Sequence, residues 1–314
     1  MPKVSVCIPV YNVEQYIGRC LESVLSQSLK DIEVIVVNDC TPDNSMEIVE
    51  RYVDKDCRVK LLIHSENRGL MVARHTAYMA AHGDYITFLD SDDTLAEGAL
   101  ENLYNAAVGT QADIVSGVIE YIPTKGAHYL WKNKLLYGSD KISVFKSLLK
   151  DEFGHNLCSR LFRRELLQDY PYETFEMATN GEDAMLFYQV VDNSSSVIAI
   201  DNIVYEYRQN ICSSSQVRLS DNALRSIAQA NFVIVRVVGK YNILHRLLDK
   251  RVSRSYWGFI CNNYDIEKYF KEVGLGNFSR VSNLLHNHSL ISAFKVLIKV
   301  CRNKIYKNYT ITGG

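Results

Sequence analysis

Between Val4 and Tyr121 the chain switches repeatedly between two spacings of apolar residues. VSVCIPV (Val4–Val10) is a nearly unbroken apolar run, as expected of a strand covered on both faces. After it, Tyr16, Ile17, Cys20, Leu21, Val24 and Leu25 recur every three or four residues, which predicts a helix with Asn12 placed to cap it. EVIVVN (Glu33–Asn38) predicts a second strand, followed by the turn residues DCTPDNS and a helix through Ile48, Val49, Tyr52 and Val53. VKLLIH (Val59–His64) predicts a third strand. A helix over Leu70–Ala81 follows, closing at Gly83, where glycine most easily adopts a left-handed cap. YITFLD (Tyr85–Asp90) and DIVSGVIEY (Asp113–Tyr121) predict a fourth and a fifth strand.

Strands that alternate with helices in this way predict an α/β domain: a mostly parallel sheet with helices on both faces. In such sheets ligands bind beyond the carboxyl ends of the strands. The polar residues gather at those ends: Tyr11 and Asn12, Asp39 to Asp43, and Asp90 to Asp93. After Tyr121 the pattern loosens. PTKGAHYLWKNK reads as a loop or ragged hairpin, Asp140–Lys150 as a helix behind Ser139 as its cap, and NGEDAMLFYQVV as a helix start. From about Ser220 the chain reads as helical. The expected division is residues 1–215 and a helical region, 216–314, packed on it.

Composition narrows the field. Lys+Arg is 35 against Asp+Glu 36, which gives no sign of a nucleic-acid partner. The eight cysteines form neither a Cys-x-x-Cys pair nor the spacing of a zinc site, so reduced thiols are expected. The opening MPKVSVCIPVYN does not read as a signal peptide, and no apolar run approaches the roughly 20 residues of a transmembrane helix, so a cytoplasmic protein is expected. PVYNVE after the first strand lacks the glycine-rich turn of a dinucleotide site.

Asp90, Asp92 and Asp93 crowd three carboxylates just past a strand, and like charges at such spacing call for a cation. With VSVCIPVYN…VIVVNDCTPDNS, ENRGLMVARH, GDYITFLDSDD and NGEDAMLF in this order, the chain resembles the family-2 glycosyltransferases, inverting enzymes with the GT-A fold, over roughly residues 3–215. The resemblance implies a nucleotide-diphospho-sugar donor, a UDP-sugar above others, and a divalent metal, Mn2+ or Mg2+. It places Asp92 on the metal, Asp90 on the metal or the ribose, and Asp39 on the base, with Tyr11 lying against the base and Pro9 shaping the backbone beside it. It sets Arg74 toward the diphosphate or an aspartate of the metal motif, and Arg208 as a clamp on the diphosphate. Asp183 matches the general base, with Glu182 orienting it or the acceptor. Asp93 reads as a cap of the turn after the metal motif. Arg160 stands where the family usually has Lys. Cys40, Pro42 and His75 depart from the family's usual Gly, Thr and Asn.

The acceptor implied is a hydroxyl of a glycan or lipid-linked glycan in surface polysaccharide assembly. The C-terminal SAFKVLIKVCRNKIYKNY carries five cations among apolar residues. It reads either as a basic helix lying on the inner membrane face or as a packed helix with a solvated basic edge. The competing function is a non-catalytic module that binds nucleotide or glycan in a polysaccharide-assembly complex.

Overall fold

A computed structural model of the chain describes residues 1–133, 139–210, 219–262 and 264–279. The chain divides into two compact units, Met1–Arg218 and Leu219–Gly314.

The first unit is built on a nine-stranded sheet. Strands β1 (Val4–Val10), β2 (Ile32–Asn38), β3 (Val59–Ile63) and β4 (Tyr85–Phe88) are parallel, in the order β3-β2-β1-β4. β1 and β2 are buried at every residue, which accounts for their unbroken apolar character. Beyond β4 the sheet becomes mixed. β8 (Arg160–Arg163) runs antiparallel between β4 and β6 (Ile114–Ile122), β6 pairs in parallel with β9 (Val197–Arg208), and the two-residue β5 (Thr94–Leu95) closes that side. The ragged hairpin expected after Tyr121 is β7 (Tyr129–Trp131), antiparallel to β6.

Helices α1 (Ile17–Leu25), α2 (Ser45–Val53) and α3 (Leu70–Met79) lie where the periodicity predicts them. Three local expectations are corrected. Asn12 does not cap α1: it sits in the left-handed region at φ 57°, its own N–H bonding Thr41 Oγ1 at 2.7 Å, and the helix starts only at Ile17. Gly83 takes no left-handed cap. Glycine is needed there because a Cβ would stand 2.7 Å from the Ser5 nitrogen. Asp140, not Ser139, caps α5 (Lys141–Leu149), accepting from Ile142 N at 2.8 Å and Ser143 N at 3.1 Å.

Helix α4 (Ala99–Thr110) was not legible in the sequence because two of its four buried residues are alanines, which give little apolar contrast. After α6 (Arg164–Gln168), α7 (Glu182–Asn193) starts at Gly181, which is left-handed at φ 90°. The second unit holds α8 (Asp221–Val238), α9 (His245–Cys261) and α10 (Glu267–Glu272). Ser220 caps α8 by accepting from Ala223 N, and Val233, Val237, Tyr256, Ile266 and Phe270 are among its buried apolar residues. The basic C-terminal segment lies outside the described residues. Among the described residues no helix is long and apolar enough to cross a membrane.

At the amino ends of the strands Glu33 ties the parallel half together. Its buried carboxylate accepts from Ser5 Oγ on β1, Lys60 Nζ on β3 and His82 N, each at 2.6 Å, and from Gly83 N at 3.2 Å. Burial alone would raise its pKa, but the bonds from Lys60, Ser5 and His82 outweigh it and hold the carboxyl below its usual value. A group so depressed stabilises the fold above its unfolded pKa and loses that contribution as pH falls through the folded one. Glu33→Gln should therefore cost about 2 kcal/mol at pH 7, and the gap to the parent should close below about pH 4, measured by urea unfolding.

Candidate functional site

The carboxyl ends of β1, β2 and β4 end side by side: Val10 pairs with Asn38, and Leu89 N donates to Cys7 O. The chain leaves each strand into a polar loop, so Tyr11, Asp39 and the run Asp90–Asp93 converge by topology, as the pattern of strand ends predicts. Pro9 is buried in β1, whereas Tyr11 is 47% exposed.

The centre of the site is the Arg74 side chain on α3. It is 3% exposed, and its guanidinium joins two acids from distant parts of the chain. Nη2 donates to Asp90 Oδ1 at 2.7 Å and Nη1 to Asp183 Oδ1 at 2.5 Å, with Glu182 Oε1 at 3.9 Å. Burial alone would pull the guanidinium's pKa down. The negative charges of Asp183 and Asp90 more than reverse this. Arg74 thus faces an aspartate of the metal motif, one of the two placements the resemblance allows.

The loop before β8 supports both acids from the other side. Leu157 N donates to Asp183 Oδ2 at 3.3 Å, and the buried Cys158 thiol to Asp90 Oδ2 at 3.2 Å. Two residues on, Arg160 is fully buried between Phe153 and Phe187, its guanidinium carbon 4.8 and 4.3 Å from their ring centres. Its Nη2 donates to Gly154 O at 2.6 Å, while Nε and Nη1 have no hydrogen-bond partner. Burial pushes its pKa down to about 9 despite the nearby charge of Asp183. Arg160 thereby fastens the loop that touches both acids.

The other acids differ in environment. Asp92 accepts from Asn210 Nδ2 at 3.0 Å, and its backbone carbonyl accepts from Arg19. Burial and then Asp90 raise its pKa. Asp93 caps no turn with its side chain. It points inward, 1% exposed, and ties down β9 by accepting from Tyr205 Oη at 2.7 Å and Arg208 N at 2.8 Å. Burial, then Asp92 and Asp90, push it up to about 8. Glu182, in the first turn of α7, is raised to about 7 by burial and then by Asp183.

Asp39 is held on both oxygens: Oδ1 by His64 Nδ1 at 2.7 Å and Arg68 N at 3.0 Å, Oδ2 by Gly69 N at 2.8 Å. A carboxylate retains further lone pairs, so these bonds fix its orientation without exhausting it. Gly69 sits at φ 90° against Met177, leaving no room for a Cβ. Cys40, where the family has glycine, also takes the left-handed conformation, at φ 57°. His64, Arg68, Cys158 and Asn210 escaped the sequence reasoning. His64 and Arg68 lie within quoted motifs, and Cys158 and Asn210 lie two residues from Arg160 and Arg208, but only the fold shows which way they face.

Arg208 is not brought to the Arg74 cluster. Its guanidinium donates to Glu206 at 2.6 Å and to Thr94, and it lines a cavity of about 520 Å³ with Arg19, Glu22 and Glu97 of the α1 side. Reaching a diphosphate beside Asp92 would require it to leave Glu206.

Among the described residues no group of three or more His, Cys, Asp or Glu could hold a metal ion by itself. Asp90 and Asp92 supply two carboxylates. This fits Mg2+ or Mn2+, which are commonly held by one or two carboxylates with phosphate oxygens and water completing the shell. Burial, and then the charge of Asp90, raise the proton affinity of Asp92, so a cation beside it would relieve both.

Known proteins bear on this arrangement in two ways. The fold matches TarS of S. aureus, solved in complex with UDP-GlcNAc, with TM-score 0.73 and 20% identity over 96% of this chain and 89% of that one. Glycosyltransferase GlyA of Streptococcus pneumoniae is 34% identical over 68% of this chain and 32% of its own length. The uncharacterized glycosyltransferase EpsJ of Bacillus subtilis is 34% identical over 69% and 64%. The chain therefore spans about a third of GlyA and just under two thirds of EpsJ. The family profile described as glycosyl transferase family 2 matches residues 5–171, and with that match over more than half its length the chain belongs to glycosyl transferase family 2.

Proposed function

We propose that the chain transfers one sugar from a nucleotide-diphospho-sugar, a UDP-sugar, to a hydroxyl of a glycan or lipid-linked glycan in surface polysaccharide assembly. The observation that carries this reading is the Arg74 bridge, which sets the acid of the metal motif and the acid of the NGED helix on one guanidinium. Transfer needs a donor phosphate site and a proton acceptor close together, and a single buried cation spaces the two.

In this reading Tyr11 lies against the base, Asp39 accepts from it, and the N–H groups of Arg68 and Gly69 hold Asp39 in place. The choice of uracil rests on the sequence motifs, because the GT-A fold serves more than one base. Asp92 and Asp90 would hold a divalent cation, which would supply positive charge to the departing diphosphate when bound. Asp183 takes the proton from the acceptor hydroxyl as that oxygen attacks the anomeric carbon. Arg74 and Leu157 N hold one oxygen each of this carboxylate in line. Burial and then the charge of Asp183 raise the pKa of Glu182, which favours its protonated form and lets it donate a hydrogen bond to the acceptor beside it. Attack in a single step leaves the anomeric configuration inverted. A cytoplasmic site of action belongs to the same proposal, since nucleotide-sugars are its substrates.

Three outcomes follow. UDP should raise the melting temperature only with Mn2+ present, with a stabilisation of about 2.7 kcal/mol at a hundredfold excess over Kd, and Asp92→Ala should abolish it. Absence of any nucleotide effect in a folded sample would instead favour a non-catalytic binding module. Asp183→Asn should keep the UDP effect while slowing transfer by about 10²–10⁴-fold in a product-release assay. Full turnover in that variant would remove Asp183 as base. NMR of the product should show the anomeric centre inverted, and retention would rule out single displacement.

A further inference from the structure

The sheet face on which Tyr205 reaches Asp93 continues outward as a band of aromatic rings. Strand register sets Trp131, Ile119 and Tyr205 in one cross-strand row and Tyr129, Tyr121 and Tyr207 in the next, on the same face. Tyr121 stacks on both neighbours, with centroids 4.5 Å from Tyr129 and 5.2 Å from Tyr207 and planes within 22° and 21°. One end of the band is buried at the acid cluster through the 2.7 Å bond from Tyr205 to Asp93. The other end is open: Tyr129 is 55% and Trp131 47% exposed.

Trp131 also touches the loop that holds Asp183. Its indole lies so close over Gly154 that a Cβ there would collide with it. Three residues on, Leu157 N holds Asp183. Asn133, two residues after Trp131, accepts from Gly154 N at 3.1 Å and donates to Ser116 Oγ at 2.8 Å, which locks this edge of the band to the loop. The rings thus pack against the same loop whose Leu157 N holds Asp183.

Large rings left in water are unfavourable unless something covers them, and their flat faces suit the C–H face of a pyranose. We propose that Trp131 and the Tyr129–Tyr121–Tyr207 stack are the acceptor platform, seating the pyranose rings of an oligosaccharide and pointing its terminal hydroxyl at Asp183. This rests on the sugar-transfer reading of the site and adds the class of acceptor.

Trp131 reports on itself, since the chain has only two tryptophans. Emission of the full chain is titrated with chitotetraose, cellotetraose, laminaritetraose, maltotetraose and poly(ribitol phosphate), with iodide quenching before and after. The proposal expects iodide to quench Trp131 in the free chain. At least one of the four neutral sugars should then cause a saturable blue shift that Trp131→Phe removes and Tyr129→Ala weakens about tenfold in Kd. A band closed to iodide, a response to poly(ribitol phosphate) alone, or no response to any of the five overturns it. Metal-dependent stabilisation by UDP, measured on the same samples, separates the two failures: if it persists the donor reading stands and only the platform is lost.

Discussion

A buried guanidinium between two carboxylates is the constraint around which the first unit is arranged. Asp90 and Asp183 balance the charge of Arg74 at 3% exposure, and Arg74 in turn offsets the repulsion between the two acids. The three residues come from α3, the end of β4 and the start of α7, so the pair of ion bonds also fixes how those elements meet. Removing Arg74 leaves two partly buried acids without their cation, and removing either acid takes away one of its two ion pairs, which couples the stability of this region to its chemistry.

Around that centre the acids are sorted by environment. Asp90 is balanced by Arg74, Asp92 is buried beside Asp90 with Asn210 as its side-chain donor, and Asp93 is withdrawn into the sheet, where Tyr205 holds it. Three neighbouring carboxylates thus do three different things, one of which is to anchor β9. The loop from Phe153 to Arg160 reaches both ends of the bridge, held by a guanidinium that spends most of its surface on phenylalanine rings. The cost of a buried cation with two unpartnered nitrogens is consistent with that loop's needing a fixed position.

The parallel half of the sheet and the convergence at its carboxyl edge were legible because β1 and β2 are buried on both faces and so read as apolar runs. The mixed half was not. β8 is only four residues long and carries Arg160 and Arg163, so no apolar run marks it. β5 has two residues, and α4 buries alanines. Motif resemblance set Arg74 toward the diphosphate or an aspartate of the metal motif, but it could not show that one arginine holds both Asp90 and Asp183. Nor could it show that Arg208 turns to Glu206 and that Asn210, two residues on, reaches Asp92 instead. Side-chain direction at the end of a strand is set by pairing register, which no local pattern in the chain encodes.

The claim that Arg74 couples donor site and base is tested most directly by a double-mutant cycle on the single-turnover transfer rate. The parent, Arg74→Met, Asp183→Asn and the double variant are compared at saturating donor and metal. If one guanidinium holds both acids, the losses overlap, and the double variant should fall no more than about tenfold below the slower single one. Losses that multiply would mean that Arg74 and Asp183 act independently, and would contradict the account.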